Sequence, residues 1–323
     1  MALFVVTNRI PDSALELLRA EAEVRVAEAS TALVREELLA LVGGADAVLT
    51  MLFDRVDETF LYAAGPQLRC VANVAVGFDN IDLAAAARRG ILLSNTPGVL
   101  DDATADLAFA LILASRRRIG EGERLIRSGE PWTWGVSFML GGDLRGKRLG
   151  IVGLGNIGAR VAQRARAFGM TIAYHGRHAA PAGRVAELEA QRHDLDELLA
   201  SCDVISLHCP LTEQTRHLIG ARELALMKPT ATLVNTARGP VVDEVALAAA
   251  LREGRIAGAG LDVYEHEPQV EPGLLDLENV VLSPHLGSAT VETRTAMAEL
   301  AARNAIAAVR GEKLLTPVPL PAP

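Results

Sequence analysis

Three residues in the second half of the chain, Arg238, Glu267 and His285, could together manage a proton beside a carboxylate. A guanidinium matches a planar carboxylate in bidentate fashion. An imidazole changes charge near neutrality and can give or accept a proton. A carboxylate next to that imidazole favours its protonated, donating form. The three form a set for reducing a 2-keto acid: Arg238 on the carboxylate, His285 as proton donor to the developing alkoxide, Glu267 tuning His285. His266 stands beside Glu267 as the main rival imidazole, without the setting of His285 directly after an apolar run. His208 and His217 read as structural or as lining a cofactor pocket. What this set lacks is a source of hydride.

Residues 147–177, KRLGIVGLGNIGARVAQRARAFGMTIAYHGR, supply that missing part. The apolar run Leu149 to Val152 leads into Gly153, Leu154, Gly155, Asn156, Ile157 and Gly158. A helical pattern over Ala159 to Phe168 and a second apolar run, Met170 to Tyr174, follow. This is the length and order of a βαβ unit. Gly153 allows the sharp turn, Gly155 lets a pyrophosphate approach the backbone, and Gly158 lets the helix pack on the strand. Amides at the helix start then face the phosphates. The nicotinamide of a bound dinucleotide would supply the hydride. An acidic residue at the end of the second strand would favour NAD; this chain has His175, Gly176 and Arg177 there, with His178 next and Arg184 further on. The guanidinium of Arg177 suits a 2′-phosphate, so NADPH is the preferred cofactor, with NADH possible.

The elements around these residues alternate between strand and helix patterns. Leu3 to Thr7, Val24 to Ala27, Ala45 to Thr50, Leu68 to Val74 and Gly90 to Leu93 read as strands, with helices at Pro11 to Ala22, at Thr31 to Val42 and between the later strands. After the break Asn95-Thr96-Pro97-Gly98, Asp101 or Asp102 caps a long helix running toward Arg118. Residues around Trp132 and Trp134 form an irregular arm. Four further strands, Val204 to His208, Thr232 to Asn235, Gly258 to Val263 and Val280 to Ser283, end near the chemical residues. A last helix spans Thr290 to Val309. Such alternation predicts parallel sheets covered on both faces, with ligands beyond the strands' carboxyl ends. The tail Thr316 to Pro323 reads as loose.

A chain of 323 residues, half of them apolar, has room for two domains. A net charge of −8 without a basic run argues against nucleic acid. No apolar stretch reaches membrane-spanning length, and the N-terminus lacks the marks of a signal peptide. Cys70, Cys202 and Cys209 are scattered without metal-ligand spacing and read as free thiols in a reducing cytoplasm. No metal site is expected.

VAVGFDNID (74–82), DDATADLAFALIL (101–113), GLGNIG (153–158), NTARGPVVDE (235–244), GLDVYEHEP (260–268) and SPHLGSAT (283–290) together resemble the D-isomer-specific 2-hydroxyacid dehydrogenases, in particular the glyoxylate/hydroxypyruvate reductase branch. The resemblance covers essentially the whole chain. It implies two Rossmann-like or flavodoxin-like parallel-sheet α/β domains. The nucleotide-binding one (99–287) would be inserted into a substrate-binding one (1–98 and 288–323). It implies Arg238, Glu267 and His285 as the catalytic set, and the amides of Val76 and Gly77 on the substrate carboxylate in an interdomain cleft. Leu52 and Phe53 would bound the substrate side chain. Thr104, Cys209, Pro210, Thr215, Thr236, Ala237, Asp262 and Gly287 would join the glycine turn and residues 175–177 around the cofactor. Relatives of this kind are homodimers joined through residues 100–145. NAD-using members commonly carry Asp where His175 stands, which strengthens the NADP reading. Glu267 departs from the formate-oxidising branch, and residues 73–76 lack the lysine of the phosphite-oxidising branch. The substrates implied are glyoxylate and hydroxypyruvate. A reductase of 2-ketogluconate or bulkier 2-keto acids is the alternative, and a dinucleotide-sensing corepressor-like protein the remote one.

Overall fold

The computed structural model describes residues 2–29 and 31–321. The chain divides into two compact units, Met1–Leu100 with Ala289–Pro323, and Asp101–Ser288. In the first unit, strands β1 (Leu3–Val6), β2 (Glu23–Val26), β3 (Ala47–Thr50), β4 (Cys70–Asn73) and β5 (Leu92–Ser94) form a parallel sheet in the order β2-β1-β3-β4-β5. This is the flavodoxin-like order. Every residue of β3 and β4 is buried, as a strand covered on both faces requires.

The two-residue period of the strands sorts their side chains into two cores. Val5, Val48 and Val71 pack with Phe60, Leu61 and Ile91 on one face. Phe4, Val6, Leu49 and Ala72 pack on the other face against the helix Val291–Arg310. That helix presents Ala298, Ala301, Ala302 and Ala305 at helical spacing, so small side chains let it lie close to the sheet. Thr290 caps its start through the Thr293 amide, and Gly311 closes it at φ 73°.

The tail departs from the expectation of a loose end. Thr316 donates to the Asn95 carbonyl at 2.6 Å, and its amide donates to the Asn304 side chain at 3.1 Å. The Val318 amide donates to the Leu93 carbonyl at 2.9 Å, and the Val318 side chain is buried. Proline there fixes an extended chain against the sheet rather than releasing it. Ala322 and Pro323 lie outside the described residues, as does Ser30 near the helix expected from Thr31, which here spans Arg35–Leu41.

In the second unit, β6 (Arg148–Val152), β7 (Thr171–His175), β8 (Gln191–Arg192), β9 (Val204–Leu207), β10 (Thr232–Asn235), β11 (Gly258–Leu261) and β12 (Val280–Leu282) are all parallel, in the order β12-β11-β10-β9-β6-β7-β8. The chain changes direction across the sheet between β6 and β9, the switch point at which such sheets bind ligands. Two-residue β8 is too short to show a period in the sequence. The helix from Asp101 begins at that residue and stops at Arg116; Arg118, at φ 55°, turns the chain into a separate helix, Ile119–Ser128. Gly120 and Gly122 disguise this second helix in the sequence. None of its residues is buried, and Trp132, Trp134, Val136 and Leu140 beyond it are exposed. No helix among the described residues is long and apolar enough to cross a membrane.

Phe60 is fully buried whereas Tyr62, on the same helix, is 78% exposed. Phe60→Ala is expected to lower stability by about 3–5 kcal/mol, and Tyr62→Ala to change it by less than about 0.5 kcal/mol. Urea unfolding of the two variants measures both.

Candidate active site

Each glycine of the turn after β6 has its own steric reason. Gly153 sits at φ 96°, and a Cβ there would lie 2.8 Å from the backbone of His208 and Cys209. A Cβ on Gly158 would lie 2.4 Å from the Gly153 carbonyl oxygen, so only glycine lets the helix Asn156–Ala167 approach the turn. Gly155 precedes that helix, and a Cβ there would meet nothing within 4 Å. One glycine makes the turn, one packs the helix, and the one between faces open space where a phosphate could reach the backbone. The Thr236 hydroxyl, at the end of β10, is buried without a hydrogen-bond partner among the described residues. These observations fit a dinucleotide.

Arg184, which the sequence offered as a further cation near the 2′ position, is committed to the turn itself. It donates to the Leu154 carbonyl and to the Asn156 side chain, both at 3.0 Å. Asp101 lies against Asn156 from the neighbouring helix. Burial pushes its carboxyl above the ordinary range, with Asn156 and the charge of Arg160 offsetting only part of this. His175 closes β7, and its carbonyl accepts from the Gly153 amide at 2.8 Å. Arg177 is exposed beyond it and reaches Gln214 at 3.3 Å. Thr215 donates to the Pro210 carbonyl at 2.7 Å, fixing the loop after β9. Burial pushes the Cys209 thiol up to about 11 and pulls the His208 imidazole down to about 4, so neither is charged at neutral pH. His217 pairs with Glu265 at 2.7 Å, a structural role, and His266 is exposed.

The three chemical residues are carried by the ends of the adjacent strands β10, β11 and β12. Asn235 shapes the first of these ends: its side chain donates to the Arg238 carbonyl at 2.9 Å and accepts from the Ala237 amide at 3.0 Å. Gly239 then brings this loop onto the next. A Cβ there would fall 1.8 Å from the Tyr264 carbonyl carbon, inside its van der Waals radius. Glu267 is held at both oxygens, by the Tyr264 amide at 3.0 Å and by His285 Nδ1 at 2.8 Å. Burial on its own would raise the Glu267 carboxyl. The hydrogen bond and charge of His285, the Tyr264 amide and the charge of Arg238 outweigh it and hold the carboxyl below its ordinary range. An ionised Glu267 only accepts, so Nδ1 of His285 carries hydrogen and Nε2 is left for proton exchange.

His285 adopts φ 54°, a left-handed conformation rare outside glycine. Asp262, 1% exposed, enforces it. Its carboxylate accepts from Ser283 Oγ at 2.7 Å and from the amides of Leu286 at 2.7 Å and Gly287 at 2.8 Å, while its carbonyl accepts from the His285 amide at 2.8 Å. Asp262, which the resemblance implies as a cofactor contact, has its carboxylate hydrogen-bonded to the histidine loop. A Cβ on Gly287 would lie 3.3 Å from both Asp262 and Thr104, which brings these three together. Tyr264 and Glu244 escaped the sequence reading. The Tyr264 hydroxyl donates to the Ser283 carbonyl at 2.9 Å, and the Glu244 carboxylate accepts from the Glu265 amide at 2.7 Å. Both lie inside the motifs that carry the resemblance, which was their only signal.

The residues expected to meet the substrate lie at the ends of β3 and β4 in the other unit. Asn95 donates to the Val76 carbonyl at 2.8 Å and Asn73 to the Gly77 carbonyl at 2.9 Å. Asn80 ties this loop to the one before it through the carbonyls of Met51 and Asp54. Asp54, buried and raised by that burial, accepts from the Met51 amide and the Thr7 hydroxyl. Leu52 and Phe53 stand exposed between these anchors.

Residues 109–287 match the D-isomer specific 2-hydroxyacid dehydrogenase, NAD binding domain. The chain is 50% identical over 312 residues to the glyoxylate reductase of Thermococcus litoralis, covering 95% of this chain and 93% of that protein. The crystal structure of a glyoxylate reductase from Paecilomyes thermophila superposes with a TM-score of 0.88 at 39% identity, over 98% of both chains. That of an NADPH-dependent glyoxylate/hydroxypyruvate reductase from Sinorhizobium meliloti, in complex with NADP and malonate, does so with a TM-score of 0.86 at 36% identity, over 98% of this chain and 96% of that one. With its glycine turn at the switch point and its arginine, glutamate and histidine on consecutive strand ends, this chain belongs to the D-isomer specific 2-hydroxyacid dehydrogenases and binds a nicotinamide dinucleotide.

Proposed function

We propose that the protein reduces small 2-keto acids, glyoxylate and hydroxypyruvate, to D-2-hydroxy acids, with NADPH preferred over NADH. The observation that carries the reading is the His285–Glu267 pair at 2.8 Å, in the same unit as a glycine turn shaped for a dinucleotide. The likeness to glyoxylate reductases at 50% identity supports the substrate class. Arg177, on the loop after β7, is assigned to the 2′-phosphate.

The bound dihydronicotinamide supplies the hydride. Arg238 holds the substrate's carboxylate and keto oxygen and draws the charge that develops on that oxygen. The amides of Val76 and Gly77, whose carbonyls are tied back by Asn95 and Asn73, are assigned to the carboxylate. His285 releases the proton on Nε2 to the forming alkoxide, and in the reverse direction Nε2 accepts it. Glu267 keeps the imidazole oriented through Nδ1. Leu52 and Phe53 limit the side chain accepted. The exposed apolar residues from Ile119 to Leu140 are assigned to a homodimer contact, because so large an apolar patch is unusual on a free surface. Three buried free cysteines support a reducing, cytoplasmic setting.

Initial rates with glyoxylate, hydroxypyruvate, 2-ketogluconate and phenylpyruvate, each with NADPH and NADH, test the substrate reading. The two small acids with NADPH should turn over fastest; turnover mainly of the larger acids would replace it with the bulkier-substrate alternative. Glu267 orients the ring that exchanges the proton, so Glu267→Gln should lower kcat for glyoxylate by about a hundredfold or more while leaving NADPH binding unchanged; an unaltered kcat would remove Glu267 from its role. Trp134→Ser should shift the protein from dimer toward monomer in sedimentation velocity, and a wild-type monomer would end the interface assignment.

A further inference from the structure

His217 shares the left-handed backbone of His285, at φ 49° against 54°. Each of these histidines is paired with a glutamate of the short segment after β11. Glu267 accepts from Nδ1 of His285 at 2.8 Å. Glu265, two residues earlier, accepts from Nε2 of His217 at 2.7 Å, and the same oxygen accepts from Arg216 at 3.2 Å. A residue other than glycine stays in that conformation only where its surroundings hold it. For His217 these are the Glu265 carboxylate and the Pro240 carbonyl, which accepts from the His217 amide at 2.7 Å. The Glu265 side chain is 13% exposed, so its carboxylate is turned to these partners rather than to solvent.

Glu265 thereby joins two loops that carry different parts of the site. The loop after β9 starts against the glycine turn, where a Cβ on Gly153 would lie 2.8 Å from the backbone of His208 and Cys209. Thr215 folds this loop on itself, its hydroxyl accepting from the Thr212 amide at 2.8 Å. The far end is zipped to the loop of Arg238: the Ile219 amide donates to the Val241 carbonyl at 3.1 Å, and the Asp243 amide to the Ile219 carbonyl at 3.0 Å. The loop after β11 carries Glu267. The Glu265 amide in that loop donates to the buried Glu244 carboxylate at 2.7 Å. Just beyond, the Gln269 amide donates to the His266 carbonyl at 2.8 Å and closes a turn around Glu267. Glu265 is therefore held at its side chain and at its amide, two residues from Glu267. With the amide alone, the segment could swing about a single point.

Resting on the role assigned to Glu267 above, we infer that Glu265 is a positioning residue for the reduction. It anchors the Glu267 loop to the loop after β9, and through Glu267 it sets the direction in which Nε2 of His285 points. Its effect on the reaction passes through Glu267 alone. Removing its carboxylate lets the loop turn, and a displacement of about 1 Å at the reacting groups lowers the rate by up to about a hundredfold. His217 and Arg216 both donate to one oxygen of Glu265. An amide oxygen can accept from the same two donors, so glutamine serves at this position where alanine does not.

Steady-state reduction of glyoxylate with NADPH is measured for Glu265→Ala, Glu265→Gln and His217→Asn, each alone and combined with Glu267→Gln. Glu265→Ala should lower kcat by about tenfold to a hundredfold. The KM for glyoxylate should stay within about twofold, as loss of an interaction that acts in the transition state requires. Glu265→Gln should bring kcat back to within about threefold of the wild type, the difference between a charged and a neutral acceptor. In the Glu267→Gln background, Glu265→Ala should change kcat by less than about twofold, because both substitutions then act on one contact. His217→Asn supplies the same cycle should Glu265→Ala fold poorly, since asparagine tolerates the left-handed backbone; its kcat should fall alone and not in the Glu267→Gln background. An unaltered kcat in Glu265→Ala, or losses of equal size in both backgrounds, would overturn the role of Glu265, while a slow Glu267→Gln enzyme upheld the reading beneath it. A Glu267→Gln enzyme as fast as the wild type would overturn that reading, and the inference with it.

Discussion

The buried carboxylate of Asp262 is the constraint on which the catalytic geometry rests. Its two oxygens gather Ser283, Leu286 and Gly287, and its own carbonyl takes the amide of His285. A buried carboxylate without partners would be costly. Here that cost is offset by hydrogen bonds from one loop, so the loop has little freedom to take another shape. The left-handed His285 is a consequence, since a residue in that conformation persists only where its surroundings over-determine it. Glu267 then meets an imidazole whose position is already fixed, and Tyr264 binds both sides, through its amide to Glu267 and its hydroxyl to Ser283.

Glycine does the corresponding work for backbone against backbone. Gly239 lets the loop bearing Arg238 press against the loop bearing Glu267, and Gly158 lets a helix press against the turn at Gly153. Side chains at these points would separate elements whose spacing defines the site. Arg184, bound to Leu154 and Asn156, adds a guanidinium that braces the turn from outside.

The sequence was most legible where a period or a steric rule left one solution. The apolar runs ending at Val152, Asn235 and Val263 marked strands because buried parallel strands read as continuous apolar segments, and the spacing of Gly153, Gly155 and Gly158 carried its own mechanics. It was least legible where the deciding partner is remote. That Asp262 would serve the histidine loop depends on amides more than twenty residues away. The helix Ile119–Ser128 buries nothing and contains two glycines, so propensity did not announce it. The tail was misread because its prolines suggested freedom, whereas Asn304 and Asn95, distant in sequence, hold Thr316 in place.

That tail has a bearing on solubility. β5 is the outermost strand of its sheet, and a bare strand edge is a template for pairing with other chains. The Val318 amide reaches Leu93, and Pro317 bridges Ser94 in antiparallel sense, so the C-terminal segment lies along that edge as a cover. Proline brings no amide of its own to extend the ladder. A segment of a few residues thus lies over that edge at Leu93 and Ser94, where a second molecule would otherwise find a strand to pair with.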